Sequence, residues 1–207
     1  MAKLSALSTE EAARAVYVDV ESYDSASEPA LVGFCVGDSD PEYFVTDFEL
    51  KSAGKARSIP IISFEQAIRQ LLDKCIKENR KWVSFSEHEL NHVRDHAGID
   101  ISDSYVNANT IARKWSKRES IYFPVRSLKE YAKKAGLEPE KSWMEGTPRD
   151  WMMKVRAQIR KNGDYKFCGK ATKTAWSQLL WYNGRDCFYM RELVQKIVAS
   201  PNSSSGR

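Results

Sequence analysis

The sequence predicts an α/β protein built on a mixed five-stranded sheet flanked by helices. Three observations carry this reading. Three short β-branched or aromatic runs follow one another within residues 16–46, as in an antiparallel meander. Two further short apolar runs then alternate with helical periodicity, as parallel strands do, and beyond residue 108 the chain reads as successive helices.

The first strand is Val16-Tyr-Val-Asp-Val-Glu21. Side chains alternate along a strand, so the three valines share one face, and Tyr17, Asp19 and Glu21 share the other. A turn-rich stretch, Ser22-Tyr-Asp-Ser-Ala-Ser-Glu-Pro29, leads to a second strand over Ala30–Val36. Gly37–Pro41 is a turn by composition, and Glu42–Thr46 is the third strand. Phe64, Ala67, Ile68, Leu71, Leu72, Cys75 and Ile76 recur at helical spacing and predict a helix over 63–79. Trp82–Phe85 forms a fourth strand running into a helix, and Ser104–Asn107 a fifth. Helices are expected at about 109–118, 126–135, 148–161 and 173–198, with Gly136 stopping the second of these and Pro148 opening the third. Residues 162–172 read as a loop. The expectation is one domain over 1–199 with a disordered tail at 200–207.

The 207 residues are 42% hydrophobic and 29% charged, a globular composition. The N-terminal stretch has no apolar h-region, and no apolar run is long enough to span a bilayer, so no membrane partner is expected. Four scattered cysteines without C-x-x-C spacing argue against a zinc ribbon and for a reducing, intracellular compartment, cytoplasmic or nuclear. Charge is divided along the chain. Residues 1–100 carry 11 Lys+Arg against 18 Asp+Glu, and residues 101–207 carry 21 against 10, for a total of +4. Five of the six tryptophans lie in the basic half. Cations attract phosphates and indole faces stack on bases, which points to nucleic acid; lysines on solvated helix faces and tryptophans in a core would give the same statistics.

Three acidic segments stand out. Asp19 and Glu21 are two anions on one strand face, which repel unless a cation lies between them; a strand end running into a solvated acidic loop would show the same pair. Ser86-Glu-His-Glu89 opens a helix as an S-x-x-E capping box, a structural reason for Glu89; the same first turn also projects towards the sheet end to which Asp19 and Glu21 point. On the last helix, Tyr182 and Asp186 are four apart and share a face at the border of an apolar stripe, where a carboxylate needs a partner: a cation site, Arg185, Arg191 or a backbone amide.

Together these segments resemble the DEDD superfamily of 3′–5′ exonucleases, which share a ribonuclease-H-like fold. Val-Tyr-Val-Asp19-Val-Glu21 resembles the first motif, and Pro29-Ala-Leu-Val-Gly-Phe34 the strand after it. Trp82–Glu89 stands where the second motif belongs. Asn107-Ala-Asn-Thr-Ile-Ala-Arg113 and Ser127–Gly136 resemble the segment before the third, and Tyr182-Asn-Gly-Arg-Asp186 matches that third motif in its tyrosine form. The likeness covers about residues 15–198. The second motif departs from the pattern, with Ser86 or Glu87 near the expected Asn and Glu89 at the acidic position; Glu87 is the competing assignment.

The resemblance implies two Mg²⁺ or Mn²⁺ ions held by Asp19, Glu21, Glu89 and Asp186, with Tyr182 orienting the attacking water and single-stranded DNA or RNA as substrate. It also places Ser22 and Tyr23 beside the terminal nucleotide and Lys114, Arg118 and Lys170 along the phosphates. A degenerate second motif would instead leave a binding domain for nucleic acid or protein. A third reading comes from His88-Glu-Leu-Asn-His92 with His96 following: H-E-x-x-H on a helix can hold zinc in a metalloprotease. The third His and the Gly do not fall at metzincin spacing, and that reading leaves Asp19, Glu21 and Asp186 unexplained.

Overall fold

The computed structural model describes residues 7–122, 126–145 and 147–200. In chain order the elements are α1 (Thr9–Arg14), β1 (Val16–Glu21), β2 (Leu31–Val36), β3 (Glu42–Val45), α2 (Lys51–Lys55), α3 (Phe64–Lys77), β4 (Trp82–Ser84) and α4 (Glu87–His92). There follow β5 (Tyr105–Asn107), α5 (Ala108–Arg118), α6 (Leu128–Lys134), α7 (Lys141–Met144), α8 (Pro148–Asn162) and α9 (Lys170–Ala199). The strands form one mixed sheet in the order β3-β2-β1-β4-β5. β1 pairs antiparallel with β2, and β2 with β3, while β1–β4 and β4–β5 are parallel.

The alternation of β1 sorts the core. Val16, Val18 and Val20 face α3, packing with Phe64, Ile68, Leu71 and Trp82. Tyr17 faces α9 and shares a cluster with Cys187, Met190 and Val194. Asp19 and Glu21 therefore point towards α9 rather than into bulk solvent. α3 starts where Ser63 and Gln66 cap each other reciprocally, and its apolar stripe lies flat on the sheet. A third cluster joins Leu31 and Val45 to α8 (Met152, Val155, Ile159) and to the first half of α9 (Trp176, Leu179). Of the tryptophans in the basic half, Trp143 and Trp176 are fully buried, whereas Trp115, Trp151 and Trp181 keep an exposed edge.

Two devices set the seat of α9 on the sheet. Gly184 leaves room for the Tyr43 hydroxyl, which donates to the Leu180 carbonyl at 2.8 Å; a Cβ at 184 would overlap that oxygen and press on Pro41. Further along, the Arg191 guanidinium donates to the carbonyls of Gly37 (3.2 Å) and Ser39 (3.0 Å) in the β2–β3 turn.

The structure corrects several element readings. Residues 162–172 are not one loop: a 3-10 turn occupies Tyr165–Phe167, and α9 already begins at Lys170. The Asn183-Gly184 pair lies inside that 30-residue helix, as expected over 173–198, although the dipeptide favours turns; the packing of Tyr43 requires the glycine. After α4 the chain widens into a π-turn, Val93–Ala97, closed by Gly98 at φ +65°. The short helices α1, α2 and α7 have no long periodic stretch to announce them. Residues 201–207 of the expected tail lie outside the described residues. No described helix is long and apolar enough to cross a membrane.

Candidate metal centre

β1 supplies two carboxylates and α9 the third. Oxygens of Asp19, Glu21 and Asp186 all lie within 4.8 Å of one another, and among the described residues no other three His, Cys, Asp or Glu side chains converge in this way. At 4.8 Å each pair of ionised carboxylates repels by roughly 3 kcal/mol at an effective dielectric of about 20.

The chain holds this group together with neutral donors. Asn183 donates through Nδ2 to Asp19 Oδ2 at 2.6 Å. It comes that close because the residue facing Asp19 on β2 is Gly33, whose missing Cβ leaves the space that the Asn183 amide fills. The amide oxygen, Asn183 Oδ1, is buried without a hydrogen-bond partner among the described residues. Trp143 donates its indole N–H to Asp186 Oδ1 at 3.0 Å. The ring of Trp143 stacks on Tyr189 at 4.3 Å between centroids, which fixes the donor's direction. Asp186 thus pairs with neither arginine considered from sequence. Arg185 bonds Glu140 at 2.8 Å, and Arg191 holds the β2–β3 turn.

One cation stands near. The Lys129 ammonium lies 4.7 Å over the Tyr182 ring and 5.7 Å over that of Trp143, and donates to the Met144 carbonyl at 3.1 Å. It favours ionisation of Glu21 and Asp186, but one ammonium does not balance the group. Burial, followed by mutual repulsion, raises Asp19 and Glu21 well above the carboxylate range. Burial also pushes Asp186 up to about 7, against the pull of Trp143 and Lys129.

Glu89 does not complete the set as expected. It is buried and adds to the repulsion felt by Asp19, Glu21 and Asp186, so it lies near them. Its Oε2, however, accepts from the Ser86 amide at 3.2 Å and the Ser86 hydroxyl at 2.8 Å, the reciprocal capping box of α4. The Tyr105 hydroxyl locks the same turn through the Ser86 carbonyl. The structure brings three of the four proposed ligands together and leaves Glu89 beside them, tied to its own helix cap. Glu87 is exposed. Ser86→Ala should free Glu89, and Mn²⁺ affinity measured by calorimetry should rise several-fold while thermal stability falls by about 1 kcal/mol from the lost cap.

Tyr182 lies on the same face of α9 as Asp186, with Trp151 edge-on to its ring at 5.9 Å. Burial and then the charge of Asp186 raise its phenol above the usual value, so the hydroxyl stays protonated and can orient a neighbour but not act as a base. The H-E-x-x-H stretch has its own geometry. Nε2 of His88 and Nε2 of His92 face each other at 2.9 Å, the His96 ring stacks 5.4 Å from that of His92, and Glu89 turns to Ser86 instead.

The remaining sequence candidates disperse. Ser22 follows β1, and its hydroxyl donates to the Asp24 carbonyl. The Tyr23 hydroxyl donates to Asp47 at 2.6 Å under the Arg156 guanidinium, so its side chain belongs to the contact with α8. Lys114 lines a separate hollow with Arg113, Lys117 and Arg126, and Arg118 bonds Glu119 at 2.9 Å. Lys170 opens α9, 16 residues before Asp186, which is about 24 Å along a helix. Sequence reasoning passed over Gly33, Lys129, Trp143 and Asn183. A lone glycine inside a strand (Val32-Gly-Phe34) does signal a close approach, but not of what.

An all-oxygen donor set suits a hard divalent cation such as Mg²⁺ or Mn²⁺. The raised carboxyls carry protons near pH 6 that such an ion displaces. Mn²⁺ affinity should therefore climb as pH rises from 6 to 8, about tenfold per unit for each proton released, as calorimetry in buffers of differing ionisation enthalpy would read. A flat profile would mean that the carboxyls are not its ligands. No family model, curated protein or solved structure matches the chain.

Proposed function

We propose that this chain is a metal-dependent 3′–5′ exonuclease of ribonuclease-H-like fold, resembling the DEDD superfamily in its tyrosine form and acting on single-stranded nucleic acid. The observation that carries the proposal is the meeting of Asp19 and Glu21, from the central strand, with Asp186, from the last helix, within 4.8 Å. These carboxylates suit two Mg²⁺ or Mn²⁺ ions, with Glu89 as the neighbouring fourth group. Bound there, such ions would supply Lewis acidity towards water and the phosphoryl oxygens.

The chain's own part is placement. Asn183 and Trp143 hold Asp19 and Asp186 in one orientation each, so little is left to reorganise. The protonated Tyr182 hydroxyl donates towards the attacking water or the phosphate. Lys129 offsets part of the negative charge against which the phosphate must approach. In the reaction a water oxygen joins the phosphorus, the bond to the 3′ oxygen breaks, and that oxygen takes a proton. A nucleoside 5′-monophosphate leaves a strand one residue shorter.

The test is digestion of 5′-labelled single strands with Mn²⁺, expected to give a ladder shortening from the 3′ end and no products with EDTA. Intact strands would remove the proposal. A second reading, an impaired nuclease that binds nucleic acid, is favoured by the engagement of Glu89 with Ser86. Mn²⁺ calorimetry separates the two: two coupled ions support the enzyme, and one or none supports the binder.

A further inference from the structure

An open groove of about 800 Å³ runs along the first half of α9, beside the carboxylate centre. Its walls are Arg57 after α2, Ser142 on α7, Trp151 on α8, and Lys170, Lys173 and Trp181 on α9. No acidic residue lines it. Arg57 donates to the Ser177 hydroxyl at 2.5 Å and Lys173 to the Lys166 carbonyl at 3.3 Å; among the described residues no carboxylate pairs with either or with Lys170. The two indoles are half-buried, each with a free edge.

One end of the groove adjoins the candidate centre. Trp151, which lines the groove, lies edge-on to the ring of Tyr182 at 5.9 Å between centroids. The cationic end lies at Lys170. From Trp181 to Lys170 is about 16 Å of helix, the length of roughly five stacked nucleotides at about 3.4 Å each.

We infer that this groove carries the single strand on the 5′ side of the nucleotide being removed, with bases against Trp151 and Trp181 and phosphates against Arg57, Lys170 and Lys173. The inference rests on the exonuclease reading for its direction, but not for the existence of the binding surface. Two features specify a nucleic-acid strand over another polyanion. The same groove offers indole surface at its Trp151–Trp181 end and cations without carboxylate partners among the described residues at its Lys170–Lys173 end, the two kinds of contact that bases and phosphates require. The groove is also open to solvent, as a polymer substrate requires. The placement gives Lys170, which lies far from Asp186, a part in strand binding at the groove's far end.

The test uses the whole chain. In EDTA, anisotropy of 5′-fluorescein oligothymidylates of two to ten nucleotides should show affinity rising up to about six nucleotides and then levelling off. Trp181→Ala should weaken the ten-mer at least tenfold and flatten this length dependence. Because Trp181 also packs against the core, Arg57→Gln combined with Lys173→Gln is the surface control, expected to weaken the ten-mer about tenfold and to lower the salt slope. With Mn²⁺, the ratio of kcat/KM on a ten-mer to that on the p-nitrophenyl ester of thymidine 5′-monophosphate should fall at least tenfold in both variants.

Unchanged length dependence in both variants would overturn the inference, whether or not the strands are digested. Displacement of the ten-mer by polyglutamate as effectively as by unlabelled strand would overturn it too, because charge alone would then be read. Loss of binding in the variants together with no digestion by the wild type would leave the groove standing and remove the exonuclease reading.

Discussion

Asp186→Asn is expected to abolish Mn²⁺-dependent strand shortening, by about 10³-fold or more, and to raise the melting temperature of the metal-free protein. The two effects share one cause. Burial pushes the Asp186 carboxyl up to about 7, so at pH 8 the folded metal-free chain carries an ionised group that its surroundings disfavour. The sign follows from linkage. A carboxyl whose folded pKa is raised binds its proton more tightly in the folded state. Its contribution to stability is therefore lost as pH climbs from about 4 through 7. The asparagine keeps an acceptor for the Trp143 indole and removes the charge. The expected gain at pH 8 in EDTA is on the order of a few kcal/mol, the penalty that a divalent ion would otherwise relieve. Calorimetric melts of both proteins at pH 5 and pH 8 read this directly: the gain should be present at pH 8 and small at pH 5. A variant that is inactive and less stable at pH 8 would make Asp186 a structural residue and not one of a repelling group.

Gly33→Ala is expected to damage fold and centre together. β2 is held on both sides, by β1 and β3, so its backbone has nowhere to move. A Cβ at 33 would overlap Oδ1 of Asn183 and reach 2.8 Å from Cγ of the same side chain. Either α9 lifts or Asn183 swings away from Asp19. Overpacking of this kind costs about 1–3 kcal/mol, and a lost hydrogen bond to a charged group about 1.5–3. Mn²⁺ affinity should drop about 10–100-fold, the usual consequence of removing a residue that orients a ligand. The pair Gly33→Ala with Asn183→Ala decides the mechanism. With the amide gone the overlap is gone, so the double variant should be as stable as Asn183→Ala alone, a coupling of at least about 1 kcal/mol. Additive losses would place the damage in β2 itself.

Much of the framework was legible because it obeys simple periods. The valines of β1 and the stripe of α3 are regular, and the structure places each on the face expected. Asp19 and Glu21 sharing a face with Tyr17 followed from alternation alone. Glu89 was legible as a capping residue, and in the structure the cap holds it. What failed to show were elements too short for a period, such as α7, and the start of α9, where Gly169 and Lys170 look like loop. Asn183-Gly184 lies inside the helix expected over 173–198. Their local preference is for a turn, and a 30-residue helix overrides it because the glycine is needed for contact with Tyr43.

The sequence by itself determined the α/β class, the strand faces and the placing of Asp19 and Glu21 on one of them. These are consequences of spacing along one chain, and spacing survives without coordinates. Only the tertiary structure decided which groups meet. Asp186 reaches Asp19 and Glu21 because α9 is seated against β2 through Gly33, Gly184 and Arg191, contacts between residues some 150 positions apart. It also supplied the supporting donors Asn183 and Trp143 and the nearby cation, Lys129. No local pattern encodes those, since each is chosen by the space and charge left over once the sheet and its last helix have packed.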